Sequence, residues 1–147
     1  MTLFITRVFT ALTLVVSIGS HATEHVVRML NLDGDQTMLF QPAFVNAKVG
    51  DTVRFEPTQT GHYVRALAVP DKATAWQSEL DKPFTIKLEQ EGLYFYMCPP
   101  HLMMGMVGLV QVGNAVNLDA VRKSMQSSKG RMYSNSARID ALLAQVK

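Results

Sequence analysis

Between Glu24 and Val112 apolar and polar positions alternate in short bursts, each closed by glycine, proline or aspartate. Alternation with a period of two places successive side chains on opposite faces, as in a half-buried strand. His25 to Leu30 reads as a strand stopped by Asp33-Gly34. The apolar run from Met38 to Lys48 is interrupted by Pro42 and turned by Gly50-Asp51. Val53 and Phe55 alternate with Arg54 and Glu56, and Tyr63 to Val69 follows a turn at Gly61. Phe84, Ile86 and Leu88 alternate with Thr85, Lys87 and Glu89, Glu91-Gly92 turns the chain into Leu93–Cys98, and Met106–Val112 closes the set. Roughly seven short strands with turns between them predict an all-β sandwich. Ala73 to Leu80 reads as a loop or one helical turn, with Trp76 as a packing residue.

After Gly113 the period becomes helical. Asn117 is placed to cap a helix carrying Leu118, Val121 and Met125 on one face, with Asp119 in its first turn. Ser127-Ser128-Lys129-Gly130 breaks it. A second helix follows Ser134-Asn135-Ser136, with Ile139, Leu142, Leu143 and Val146 at i, i+3, i+4 and i+7. A stripe that regular is expected to pack on the body of its own domain.

The first 22 residues belong to neither pattern. Arg7 is a positive flank, Val8–Ile18 an apolar run, and Ser20-His21-Ala22 places small residues at the −3 and −1 positions of a cleavage site. The run is short for a bilayer span, and no later segment approaches one. The expected organisation is a secretory signal over 1–22, cleaved after Ala22, and one domain over 23–147, with a sandwich at 24–113 and helices at 117–147. The mature protein is expected to be soluble and periplasmic. Apolar residues make up 48% of the 147 and charged ones 18%, which excludes a disordered or collagen-like chain. A net charge of +2 gives no footing for nucleic-acid binding. The charge is uneven: residues 23–116 hold seven Lys/Arg against ten Asp/Glu, net −3, and residues 117–147 hold six against two, net +4.

The chemistry concentrates in Cys98-Pro99-Pro100-His101-Leu102-Met103-Met104-Gly105-Met106. Cys98 is the only cysteine, so an exported chain has no internal disulfide to protect that thiol. Taken singly, a buried cysteine, a histidine or a methionine is ordinary core material. Together, C-x-x-H, nearby methionines and an upstream Gly61-His62 supply one thiolate, two imidazoles and a thioether. That is the ligand set of a trigonal copper site with a weak axial sulfur. Haem attachment needs C-x-x-C-H, and no second thiolate or carboxylate completes a tetrahedral zinc set. Spacing alone leaves Met104 and Met106 as rivals for the axial place.

The chain resembles the pseudoazurins, small periplasmic type 1 copper proteins of the cupredoxin family, over residues 24–147. The resemblance rests on Met29-Leu30-Asn31, Met38 with Phe40-x-Pro42-Ala43, Gly50-Asp51-Thr52-Val53-x-Phe55, Gly61-His62, Gly92-x-Tyr94, Cys98-x-Pro100-His101, Met104-Gly105-Met106 and Asn117-Leu118-Asp119. It implies an eight-stranded Greek-key sandwich followed by two C-terminal α-helices. It implies one type 1 copper held by His62, Cys98, His101 and, of the two methionines, Met106. Three departures stand out: Tyr63 replaces the asparagine usual after the first histidine, Pro99 replaces a serine or threonine, and Thr60 and Met97 replace lysines that flank the site.

The expected function is a monomeric, non-enzymatic carrier of single electrons. Its partners are redox proteins that dock transiently; the resemblance points to a copper-containing nitrite reductase or a c-type cytochrome. Docking is expected on an apolar rim of Pro100, Leu102, Met103 and Met104 around His101. The rival reading is a periplasmic copper-binding or chaperone protein with no redox role. A thiol hydrolase lacks an oxyanion-hole motif and an orienting acid, and an adhesion sandwich would bind no copper. Cleavage after Ala22 would also leave Thr23-Glu24-His25 at the terminus, an amine, two amides and an imidazole able to wrap a second Cu(II) in a square plane.

Overall fold

A computed structural model describes residues 21–147. The expected signal over 1–22 lies outside these residues except for His21 and Ala22. The strands are β1 (Glu24–Asp33), β2 (Gln36–Gln41), β3 (Phe44–Ala47), β4 (Thr52–Pro57), β5 (Arg65–Ala68), β6 (Phe84–Lys87), β7 (Gly92–Met97) and β8 (Val107–Val112). One four-stranded sheet has the order β2-β1-β4-β6 and the other β3-β8-β7-β5. β1 with β4 and β3 with β8 run parallel, and the remaining neighbours are antiparallel.

Eight strands stand where the residue pattern gave about seven. The run Met38–Lys48 is two strands, β2 and β3, in different sheets. Pro42 lies between them, and a residue without an N–H cannot continue the ladder. The chain thus crosses from one sheet to the other within two residues, 42 and 43.

Val27, Met29, Phe40, Val53, Phe55 and Ile86 of the first sheet face Val45, Tyr94, Tyr96, Val110 and Val112 of the second. Trp76 packs at this core's margin, its ring 5.3 Å from that of Phe55, which bears out its reading as a packing residue. All residues of β7 and β8 are buried. Alternation fails there because both faces are covered. The outer face carries Leu93, Phe95, Met97, Val107 and Leu109, and two helices lie over it.

These helices are α1 (Leu118–Lys129) and α2 (Ala137–Leu143). Val121, Met125, Ile139 and Leu142 are at most 2% exposed and pack on the second sheet, as the stripe predicted. Two details differ from expectation. α1 runs through Ser127 and Ser128 and stops at Gly130. Asn117 makes no side-chain cap; its amide accepts from the Leu93 N–H at 2.7 Å and donates to the Leu93 carbonyl at 2.9 Å, fastening the helix start to β7. Among the described residues no helix is long and apolar enough to cross a membrane.

Candidate metal centre

β7 delivers Cys98 to the end of the second sheet, and Pro99–Met104 then form a 3-10 helix. Two prolines at its start fix φ where no N–H partner is needed. Gly105 ends the turn at φ 76°, and an added Cβ there would lie 2.8 Å from Asn135 Cβ and 2.9 Å from the Ser134 carbonyl oxygen. Only glycine fits that backbone and that space. The Cys98 N–H donates to the Met106 carbonyl at 3.0 Å, and the Met106 N–H donates to the His101 carbonyl at 3.2 Å. The loop therefore closes on itself.

The second histidine arrives from the β4–β5 connection, after Gly61 at φ 95°. Asp81 holds it there. Its carboxylate accepts the N–H groups of Gly61 at 2.7 Å and His62 at 2.9 Å, while its own N–H donates to the His62 carbonyl at 2.8 Å. Nothing in the sequence marked Asp81, because it lies 19 residues from His62 and binds backbone rather than a spaced partner.

Among the described residues, His62, Cys98 and His101 form one group whose ligand atoms all lie within 4.8 Å of one another. Cys98 Sγ is 3.7 Å from His62 Nδ1 and 3.4 Å from His101 Nδ1. An ion about 2.0 Å from nitrogen and about 2.3 Å from sulfur, at trigonal angles, would hold N and S about 3.7 Å apart. The donor set fits a trigonal metal. His62 Nε2 is buried without a hydrogen-bond partner, so Nδ1 is this ring's one engaged nitrogen.

Burial lowers the pKa of both imidazoles; at His62 the neighbouring His101 also lowers it, against an opposing pull from Asp81. They are neutral, the form that ligates metals. Burial pushes the Cys98 thiol up to about 11, against the backbone N–H groups of Tyr63 and His101, which favour the thiolate. The Tyr63 backbone N–H therefore favours the thiolate although its side chain is not asparagine. Pro99 offers no N–H.

The methionines separate by burial. Met106 is 0% exposed in the core that holds Cys98, whereas Met104 is 36% and Met103 54% exposed on the outside of the turn. One member of the expected apolar rim is elsewhere. Leu102 is 3% exposed and packs under the helices, so the rim is Pro100, Met103 and Met104 around half-buried His101. Met97 points the same way as Leu102 and is 2% exposed, leaving Thr60 as the exposed replacement of a flanking lysine.

Thr23-Glu24-His25 is engaged otherwise. The Thr23 N–H donates to Asp51 Oδ1 at 2.9 Å, His25 Nε2 lies 3.0 Å from Asp51 Oδ2, and Glu24 and His25 pair with Thr52 and Val53. With Ala22 still attached, these groups are paired within the fold rather than gathered about a common centre.

Residues 27–113 match the model of the copper binding proteins of the plastocyanin/azurin family. The chain is 42% identical over 128 residues to pseudoazurin of Paracoccus pantotrophus, covering 85% of each chain. It is 37% identical over 140 residues to pseudoazurin of Methylorubrum extorquens, covering 93% of this chain and 91% of that one. The crystal structure of pseudoazurin from Methylobacterium extorquens superposes with a TM-score of 0.73 at 35% identity, over 84% of this chain and 99% of that one. Native pseudoazurin from Hyphomicrobium denitrificans superposes with a TM-score of 0.71 at 38% identity, over 84% and 98%. Fold and donor set define a copper-binding cupredoxin. Within that class, the chain belongs to the pseudoazurin family.

Proposed function

We propose that His62, Cys98, His101 and Met106 hold one type 1 copper ion, and that the mature protein carries single electrons between respiratory redox proteins in the periplasm. The convergence of two imidazole nitrogens on one buried thiol carries this reading. Copper supplies the redox step when bound, exchanging one electron between Cu(II) and Cu(I). The residues supply everything else. Cys98 offers a soft thiolate after loss of its proton, and the imidazoles suit both oxidation states. The paired prolines and the Asp81 clasp hold the donors nearly still, so a change of charge rearranges little. Cys98, His62 and Met106 are 0% exposed, which keeps water from the sulfur and leaves half-buried His101 as the way in for an electron. A delivery site needs donors within reach of a partner; buried His62 and Cys98 favour the carrier over the chaperone.

The rim of Pro100, Met103 and Met104 would dock on a partner long enough for one transfer, with a copper-containing nitrite reductase or a c-type cytochrome as the implied partners. Residues 1–22 act as a cleaved signal, and residues 23–147 work as one monomeric domain. Absorption and EPR spectra of the copper-loaded mature protein test the site together. An intense visible sulfur-to-copper band with narrow copper hyperfine splitting is expected. Cys98→Ser keeps the shape and loses the soft sulfur, so it should fold and be colourless. A coloured Cys98→Ser protein would remove Cys98 from the site.

A further inference from the structure

The ligand loop is held from inside by Cys98 and His101. From outside it is held by one distant segment, the α1–α2 connection with the first turn of α2. The Met103 carbonyl accepts the N–H groups of Tyr133 at 2.8 Å and Ser134 at 3.2 Å. The Met104 carbonyl accepts the Asn135 side-chain amide at 2.9 Å. The Gly105 carbonyl accepts Arg138 Nη1 at 3.1 Å. Three consecutive carbonyls immediately before Met106 are thus each bound by residues 133–138. Arg138 also donates to the Met38 carbonyl at 2.7 Å and the Thr37 carbonyl at 3.0 Å, bracing the loop against edge strand β2. Asn135 sits at φ 55°, a conformation that asparagine tolerates better than most residues. The Gly105 backbone comes so close that no Cβ would fit between them.

We propose that Asn135 and Arg138 are positioning residues that set how closely the Met106 thioether approaches the metal, and through it the redox balance. This rests on the copper reading above. An axial thioether bond to copper is long and weak, so the metal pulls on Met106 only softly. The scaffold that holds the backbone then decides the approach. Hydrogen bonds from a guanidinium are among the stronger ones a carbonyl can accept, and here one group ties the loop to a strand of the opposite sheet. A cation beside the loop is secondary to this, because Arg138→Lys keeps the charge while losing the fork that reaches three carbonyls.

The test compares wild type with Arg138→Ala, Arg138→Lys, Asn135→Gly and Lys129→Ala in the full mature chain. Glycine at 135 accepts the positive φ and removes only the amide, so this variant folds where alanine would be strained. Lys129→Ala breaks the 2.6 Å pair with Asp140 that joins the helices, and Lys129 donates to none of the loop carbonyls. Three readouts are taken: the ratio of the two sulfur-to-copper absorption bands, the reduction potential, and amide exchange at Met106 in copper-free protein. Arg138→Ala should change the band ratio and potential and speed Met106 exchange by about tenfold, as expected for loss of a charge-assisted bond, and Asn135→Gly should shift all three in the same direction by less, since its bond is exposed. Arg138→Lys should fall between Arg138→Ala and wild type, and Lys129→Ala should leave all three readouts in place. A wild-type band with variants that match it in all readouts, or Lys129→Ala shifting them equally, overturns the clamp and spares the copper reading. A wild type without the band overturns the copper reading, and the positioning role falls with it.

Discussion

Met104 and Met106 stand two places apart around Gly105, and burial divides their roles. Met106 lies at 0% exposure with Cys98, and Met104 at 36% on the rim. Leucine is close to methionine in volume, so either replacement keeps the packing. Met106→Leu should retain the sulfur-to-copper band and raise the reduction potential, because an axial donor favours Cu(II) and its loss favours Cu(I). Met104→Leu should leave the potential near wild type. Cyclic voltammetry on both variants decides, and reversed effects would give the axial place to Met104. The backbone N–H groups of Tyr63 and His101 both favour the Cys98 thiolate. Asp81 ties the loop that carries His62 through the Gly61 and His62 N–H groups.

At the scale of elements, the start of β1 is fastened by one carboxylate. Asp51 takes hydrogen bonds from His25, the Thr23 N–H and the Lys48 N–H, and its pKa falls from 3.8 to about 2, with His25 as the largest cause. A carboxyl whose folded pKa lies below its unfolded one adds stability above the unfolded value and loses it as pH falls through the folded one. The contribution of Asp51 should be complete above 3.8 and fade toward about 2. Denaturation midpoints of wild type minus Asp51→Asn, followed across that window, should shrink on acidification; a constant difference would deny the clasp. Most strands were legible because period-two alternation is local. The division of Met38–Lys48 between two sheets was not, since a proline marks a break but not where the chain goes next. The outward burial of Met97 and Leu102 was equally hidden, because the helices that cover them are set by residues 117–147 and leave no trace in the strand pattern. Three donors were legible because thiolate and imidazole chemistry is rare and local. Asp81, Asn135 and Arg138 were not, because they bind backbone carbonyls and amides, which carry no spacing motif.

Across the whole molecule, the exposed residues of the ligand turn carry no charge of their own, while Arg138 of the basic segment reaches the Gly105 carbonyl beside them. The helical segment holds the net +4 of residues 117–147, and α1 and α2 lie over the outer face of the second sheet. Around His101 the exposed neighbours on the turn are Pro100, Met103 and Met104, all uncharged, with uncharged Thr60 before the Gly61-His62 pair. Long-range steering by charge sets association rates and is screened by salt, whereas burial of an apolar rim is not. Electron-transfer rates with a physiological partner should therefore fall only slightly as ionic strength rises. Exposed Arg65, in register with Met97 at the start of β5, is a basic residue that this sheet pairing brings to the site end, so Arg65→Gln should lower whatever salt dependence exists. Stopped-flow rates across a salt series, for wild type and Arg65→Gln, check both statements. A steep loss of rate that survives Arg65→Gln would move the docking contact away from the rim and toward the basic helices.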